Sequence, residues 1–262
     1  FARSGKLKLA AKPAHFDAMK RAQEILAREV DPDTAIVDKA GLSAEIGSDR
    51  YYGGLLYKRS ASMHMGKFGV GLAHAARRAG AVIHEHTPVE AIDKLSGGRF
   101  RVTTNKGTIE ADNVILATGA SRHGPFSWIR RRSVVVGSFV IVTEPLGHAR
   151  ARTTILQSTL REVFPNIAEC RIDYCWGGLV DMTQDRLPRA GMHEGMYFAT
   201  GYSGHGVQMS TYMGHVMARQ ITGDDVANPW QDLPWPAVPL HFGRPWFLPF
   251  VGLYYRMLDR IS

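Results

Sequence analysis

A chain of 262 residues, 45% hydrophobic and 21% charged, can bury a full core as one large domain or as two interleaved smaller ones. That composition excludes a disordered chain, a collagen-like repeat and a disulfide scaffold. The net charge of +8 favours anionic partners, but the basic residues are scattered, and the densest run, Arg130, Arg131 and Arg132, leads straight towards apolar Val134–Val136; no stripe of the kind that grips nucleic acid is present.

In chain order, Gly5–Ala11 reads as a short strand with Leu7 and Leu9 on one face. Phe16, Met19, Ala22, Ile25 and Leu26 recur at helical spacing within His15–Val30, and Pro32 stops that helix. A strand at Ala35–Val37, a brief helix at Leu42–Ile46 and a strand or loop at Tyr51–Tyr57 follow. The Ala-rich run Lys67–Ala79 is a helix closed by Gly80. A strand is expected at once over Ala81–His84, the grammar of a βαβ unit. Arg99–Thr103 and Thr108–Ala111, joined through Asn105, Lys106 and Gly107, make a hairpin with one wet face.

Val114–Ala117, closed by Thr118-Gly119-Ala120, reads as a strand buried on both faces. Ser133–Thr143 and Arg171–Trp176 are further β-prone runs. Cys170 and Cys175 lie near the second, five positions apart; on a strand that spacing sends them to opposite faces, and no metal-ligand spacing surrounds them. Met196–Thr200 feeds the loop Gly201-Tyr202-Ser203-Gly204-His205-Gly206, and Val207–Ile221 is a helix with a stripe of Met209, Tyr212, Met213, Val216 and Met217. The tail after Gly223, with six prolines and three tryptophans, reads as an extended wrap.

Strand, glycine-rich turn and helix together set free backbone N–H groups and a positive helix end against an anionic ligand. Glycines let the backbone approach such a group closely. The same loop also serves as a plain helix start that needs unusual φ angles, and spacing by itself leaves both readings open.

Four motifs in order then carry a resemblance. Gly80-Ala81-Val82-Ile83 followed by Thr87-Pro88-Val89, the run Val114–Ala120 (VILATGA), Trp176-Gly177-Gly178 with Asp185–Gly191 (DRLPRAG), and Tyr197–Gly206 (YFATGYSGHG) are similar to the D-amino-acid oxidase (DAO) family of FAD-dependent enzymes, nearest in flavour to its γ-glutamylputrescine oxidase-like branch. The resemblance implies an α/β fold: an FAD-binding Rossmann-like domain, incomplete here, interleaved with a β-rich α+β substrate cap. Its parts fall at 1–63 (cap), 64–124 (FAD domain), 125–172 (cap) and 173–223 (FAD domain), with 224–262 as an extension.

The resemblance also implies roles for particular residues. Val89 sits where the family holds adenine through its backbone, Ala117, Thr118 and Gly119 where the chain passes the FAD diphosphate and ribose, and Gly201, Tyr202, Ser203, Gly204, His205, Gly206, Val207 and Gln208 at the flavin pyrimidine edge. The activity implied is oxidation of a small-molecule amine or N-substituted amino acid to an imine, by hydride transfer to FAD N5. His205 and Gln208 are the candidate catalytic side chains; His205 equally reads as a backbone-bonded structural residue.

Three departures from the family qualify this. Where some members attach flavin through a cysteine, this chain has Gly178, so FAD is expected to be non-covalent; where they carry a lysine for a substrate carboxylate, it has Gln208. The opening GxGxxG turn is absent, and Gly66, Gly69 and Gly71 read as structural. Together with Phe1 at the start, this raises the expectation of a processed or truncated chain that needs a missing N-terminal segment or a second chain, and the alternative of a fragment that binds no flavin by itself. No metal, nucleic acid or membrane partner is expected, no run approaches the roughly 18 apolar residues of a span, and a reducing, cytoplasmic setting suits the cysteines.

Overall fold

The computed structural model describes residues 1–46, 48–120, 124–143, 163 and 170–261. Two compact units emerge, each discontinuous in sequence: Phe1–Ile83 with Ile141–Cys175, and His84–Val140 with Trp176–Ser262. Helices and strands mix in an α/β arrangement. Much of the expected second cap segment, residues 144–162 and 164–169, lies outside the described residues.

The first unit holds β1 (Lys6–Leu9), α1 (Pro13–Glu29), β2 (Thr34–Asp38), α2 (Leu42–Glu45), β3 (Gly53–Tyr57) and α3 (Met65–Arg78). Strand β3 lies between β1 and β2 and is antiparallel to both. Pro13 opens α1 at a position whose N–H would be unbonded in any case. Met19 of α1 packs with Ala10 and Leu55 into a core flanked by Phe16, Leu26 and Ile36. Ile25, expected on that face, is exposed.

Helix α3 starts two residues before its predicted Lys67 because the His64 ring accepts the Lys67 N–H. None of its residues is buried. Its end explains why the strand expected at Ala81–His84 does not form. Gly80, at φ +95°, turns the chain so that its N–H bonds Arg77 O and the Ala81 N–H bonds Ala76 O. That uses up the first donor of the expected strand, no strand pairs with the segment among the described residues, and Val82 is 78% exposed.

The second unit begins with an antiparallel sheet of β4 (Val89–Lys94), β5 (Phe100–Thr104) and β6 (Gly107–Ala111), the expected hairpin with one more strand added. Cross-strand Arg101 and Glu110 pair on its exposed side. Next come β7 (Ile115–Leu116), α4 (Ser127–Arg130), β8 (Val134–Thr143) and β9 (Ile172–Met182), the last two forming a two-stranded sheet of which Ile141–Thr143 and Ile172–Cys175 count with the first unit. Strand β9 runs six residues beyond its predicted end at Trp176, because Gly177 leaves room for Phe139: a Cβ there would meet the Phe139 ring at 3.0 Å. Both cysteines are free thiols, Cys170 buried and Cys175 exposed.

A third sheet carries the motifs. β10 (Arg189–His193) pairs antiparallel with β11 (Met196–Thr200), and β11 pairs parallel with β7. Alternation along β11 sends Phe198 into a cluster with Leu116 and Ile129, edged by Trp128 and Trp235, and sends Ala199 to the opposite face. There α5 (Gly206–Ile221) lays Met213, Val216 and Met217 over Ala190 and Ala199; Tyr212, expected in the same stripe, is largely exposed. The strand buried on both faces is thus β11. Val114–Ala117 forms only the two-residue edge strand β7, with Leu116 buried and Ile115 47% exposed.

The tail first wraps as expected. Asn228 donates to Ala190 O, Trp235 and Arg132 exchange side-chain-to-backbone hydrogen bonds, and the buried His241 ring bonds Ser133 O. It then departs from expectation, for Leu248–Ile261 is a helix, α6. The last of the six prolines, Pro249, falls in its first turn, where proline is tolerated, and none follows.

Candidate functional site

Pairing of Tyr197 with Ile115 and of Phe198 with Leu116 makes β7 and β11 run in the same direction. Their C-terminal ends therefore open on one sheet edge. From that edge leave Ala117-Thr118-Gly119 and the loop Gly201–Gly206, which begin 84 positions apart in sequence. The carboxyl ends of parallel strands are where open α/β sheets place ligands. Ala117 and Thr118 are exposed, and Gly119, at φ +55°, has open space where a Cβ would be.

The loop takes left-handed backbone at Gly201 (φ +74°), Ser203 (+50°) and Gly204 (+93°). The two glycines do different work. A Cβ on Gly201 would lie 2.6 Å from Thr183 Cγ2, so this glycine packs against protein. A Cβ on exposed Gly204 would meet nothing within 4 Å, so this one leaves the backbone bare towards an incoming group.

The loop is held from β9. Asp181, 6% exposed, accepts the Thr200 hydroxyl at 2.7 Å and the Gly201 N–H at 2.5 Å through the same carboxylate oxygen. Its backbone carbonyl accepts the Ser203 N–H at 3.0 Å. Buried Ser203 in turn accepts the Thr183 N–H at 3.2 Å and lies 3.3 Å from the Thr183 hydroxyl. Among the described residues no cation pairs with Asp181, so hydrogen bonds alone compensate the buried carboxylate. Sequence reasoning missed Asp181 and Thr183; the available signal was an acid inside the apolar strand run Leu179-Val180-Asp181-Met182. The DRLPRAG motif has a supporting part: the buried Arg189 side chain binds Asp185 at 2.6 Å together with Leu187 O and Pro234 O, and holds the Asp185 carboxyl below its usual range.

Tyr202 is half-buried, and desolvation, followed by the nearby Asp181 charge, pushes its phenol up to about 12. The neutral phenol is thus favoured in the folded chain. Its contribution to stability is complete below the unfolded tyrosine value and is lost as pH rises from there towards 12. Alkaline difference spectra of the wild type minus Tyr202→Phe are expected to show one tyrosine ionising later than a model phenol; ionisation at the ordinary value would refute the placement.

Helix α5 starts without a side-chain cap. His205 occupies the cap position, but its ring bonds no helix N–H, and the first turn has no acidic residue. Sixteen residues of helix thus present the uncapped N–H groups of their first turn, together with the positive end of the dipole, beside Gly204. The exposed His205 and Gln208 side chains flank this start. Gly178 is exposed in β9, three residues before Asp181, with no atom within 4 Å of where a Cβ would be. Val89 opens β4, in a separate sheet, with its carbonyl turned to Gly124. No cluster able to hold a metal occurs among the described residues.

An electron-rich planar edge fits the loop, because the uncapped donors point to acceptor atoms and the bare Gly204 backbone admits close approach. The pyrimidine edge of FAD has that character.

Comparison with known proteins identifies the family. The sequence profile of the family described as FAD dependent oxidoreductase (DAO) matches residues 1–155 and 147–220. The probable oxidoreductase OrdL of Haemophilus influenzae is 32% identical over 237 residues, covering 72% of this chain and 54% of that protein. The gamma-glutamylputrescine oxidoreductase of Escherichia coli is 26% identical over 309 residues, covering 99% and 72%. Among solved structures, glycine oxidase from Geobacillus kaustophilus superposes with a TM-score of 0.73 at 19% identity, over 90% of this chain and 76% of that one. L-proline dehydrogenase from P. horikoshii gives 0.70 at 18%, over 95% and 77%. The chain spans about half the length of OrdL. With its profile matched along most of the sequence and its signature loops gathered at one sheet edge, the chain belongs to the DAO family of FAD-dependent oxidoreductases.

Proposed function

We propose that this chain forms the pyrimidine-edge part of an enzyme that oxidises an amine or N-substituted amino acid to an imine with FAD. The observation that carries the reading is the uncapped start of α5 beside the bare backbone of Gly204, on the same sheet edge as Ala117–Gly119. Bound FAD would supply the hydride acceptor for the carbon next to nitrogen, the amine proton leaving to solvent. The backbone N–H groups of Gly206, Val207 and Gln208 stabilise negative charge at the cofactor's edge. Ala117, Thr118 and Gly119 pass the diphosphate and ribose, and Val89 serves the adenine. Attachment is non-covalent, since Gly178 offers no thiol.

At Gln208 a neutral amide replaces a fixed cation, which suits a substrate whose carboxylate lies far from the reacting amine. The gamma-glutamylputrescine named for the Escherichia coli relative is a substrate of that kind. His205 orients the flavin edge or substrate; hydride transfer from a neutral amine requires chiefly orientation. The outer edge of β7 has no strand beside it among the described residues and is where a further segment completes the diphosphate cradle.

Titrating the 262-residue chain with FAD tests this reading. Quenching of flavin fluorescence is expected, with Gly204→Val weakening it by about tenfold, or ~1.4 kcal/mol. No quenching at any FAD concentration would assign this chain no flavin site of its own.

A further inference from the structure

Helix α6 stands apart from the site and has no place in the proposed chemistry. From Phe250 to Leu258 every side chain on it is exposed. Phe250, Leu253, Tyr254, Met257 and Leu258 recur at the 3–4 residue spacing of one helical face, and their exposures run from 41% to 66%. Trp246, itself exposed, packs edge-on to Phe250 and extends the apolar stripe past the first turn. Gly252 and Arg256 fall together on the opposite side of the helical wheel.

Three features decide what covers such a face. The stripe is aromatic-rich, and tryptophan and tyrosine suit a boundary with one apolar and one wet side. Charge comes second: Arg244, Arg256 and Arg260 outnumber Asp259 in the segment 240–262, on a chain of net charge +8. Size is the third, since a helix of 14 residues is about 21 Å long and offers a footprint on the order of 200 Å², far below the roughly 800 Å² per partner of a stable protein interface. The face by itself is smaller than a stable protein interface, and it has the make-up of a helix lying in a lipid headgroup layer. No helix among the described residues is long and apolar enough to cross a membrane, and a helix lying on the surface needs no such length.

We propose that α6 is a peripheral anchor, which lays its Phe250–Leu258 face into an anionic lipid surface with Arg256 towards the headgroups. The expectation of no membrane partner, drawn from the lack of a span, does not bear on this mode of binding. The anchor is independent of flavin.

Co-sedimentation of the full chain with phosphatidylcholine–phosphatidylglycerol vesicles, against phosphatidylcholine vesicles alone, tests the proposal. Binding to the mixed vesicles is expected, weakened at least about tenfold in the double variant Phe250→Glu/Tyr254→Glu, whose thermal melt should match the wild type because both side chains project from the body. Arg256→Glu should reduce the preference for the mixed vesicles while leaving residual binding. Three results would overturn the proposal: no co-sedimentation, binding indifferent to the double variant, or a concentration-dependent dimer that the double variant abolishes in the absence of vesicle binding.

Discussion

Asp181→Ala is expected to destabilise the second unit by roughly 2–6 kcal/mol, because it strands two buried donors, the Thr200 hydroxyl and the Gly201 N–H, at about 1–3 kcal/mol each. Asp181→Asn can place its carbonyl oxygen where that one carboxylate oxygen accepts both donors, and should lose less than half as much. The comparison separates loss of an acceptor from loss of a charge. Urea unfolding of the three proteins measures it, with the midpoint moving and the slope unchanged. Hydrogen exchange at the amides of residues 201–206 supplies a local readout, expected to rise in Asp181→Ala before the rest of the unit loosens. A change below 1 kcal/mol with unaltered loop exchange would mean that the carboxylate does not hold the loop.

Gly201→Ala should be nearly as damaging, for two separable reasons. A non-glycine residue at φ +74° costs about 1–2 kcal/mol. The new methyl would also lie 2.6 Å from Thr183 Cγ2, and forcing an extra methyl into packed surroundings adds about 1–3 kcal/mol. Thr183→Ser in the same chain removes the clashing methyl and keeps the hydroxyl that bonds Leu187 O. The double variant Gly201→Ala/Thr183→Ser is therefore expected to recover the packing part and keep the backbone part. If the double variant is no more stable than Gly201→Ala, steric contact with Thr183 is not what reserves this position for glycine. Gly204→Ala serves as a contrast: it carries the backbone cost alone, since nothing lies within 4 Å.

These two residues show where legibility ended. The glycine loop, its strand and its helix could be read directly, because the short apolar run Met196–Thr200, three glycines and the Met209–Met217 stripe are local signals. The order of the motifs was enough to suggest the family. The clamp was not readable, since Asp181 and Thr200 stand 19 positions apart and an isolated acid in a strand gives no sign of which backbone it will meet. Asp185, by contrast, drew notice as part of a motif and turned out to brace Arg189.

Two misreadings share a cause. Ala81–His84 has the residues of a strand, but Gly80 spends the Ala81 N–H on closing α3, and no strand lies alongside among the described residues. Val114–Ala117 has the residues of a doubly buried strand, but it lies at a sheet edge, and β11 takes the centre. A strand is defined by its neighbours, and composition cannot name them. The tail erred differently: six prolines masked a helix that begins one residue before the last of them.

By itself the sequence determined the elements with strong local periodicity, the special backbone at the glycine loop and the family resemblance, because these depend on residues within a few positions of one another. Only the tertiary structure decided that β7 and β11 open on the same edge, that Asp181 holds the loop there and that the α6 stripe is left uncovered, because strand order, buried hydrogen bonds and exposure are set by partners distant in the chain.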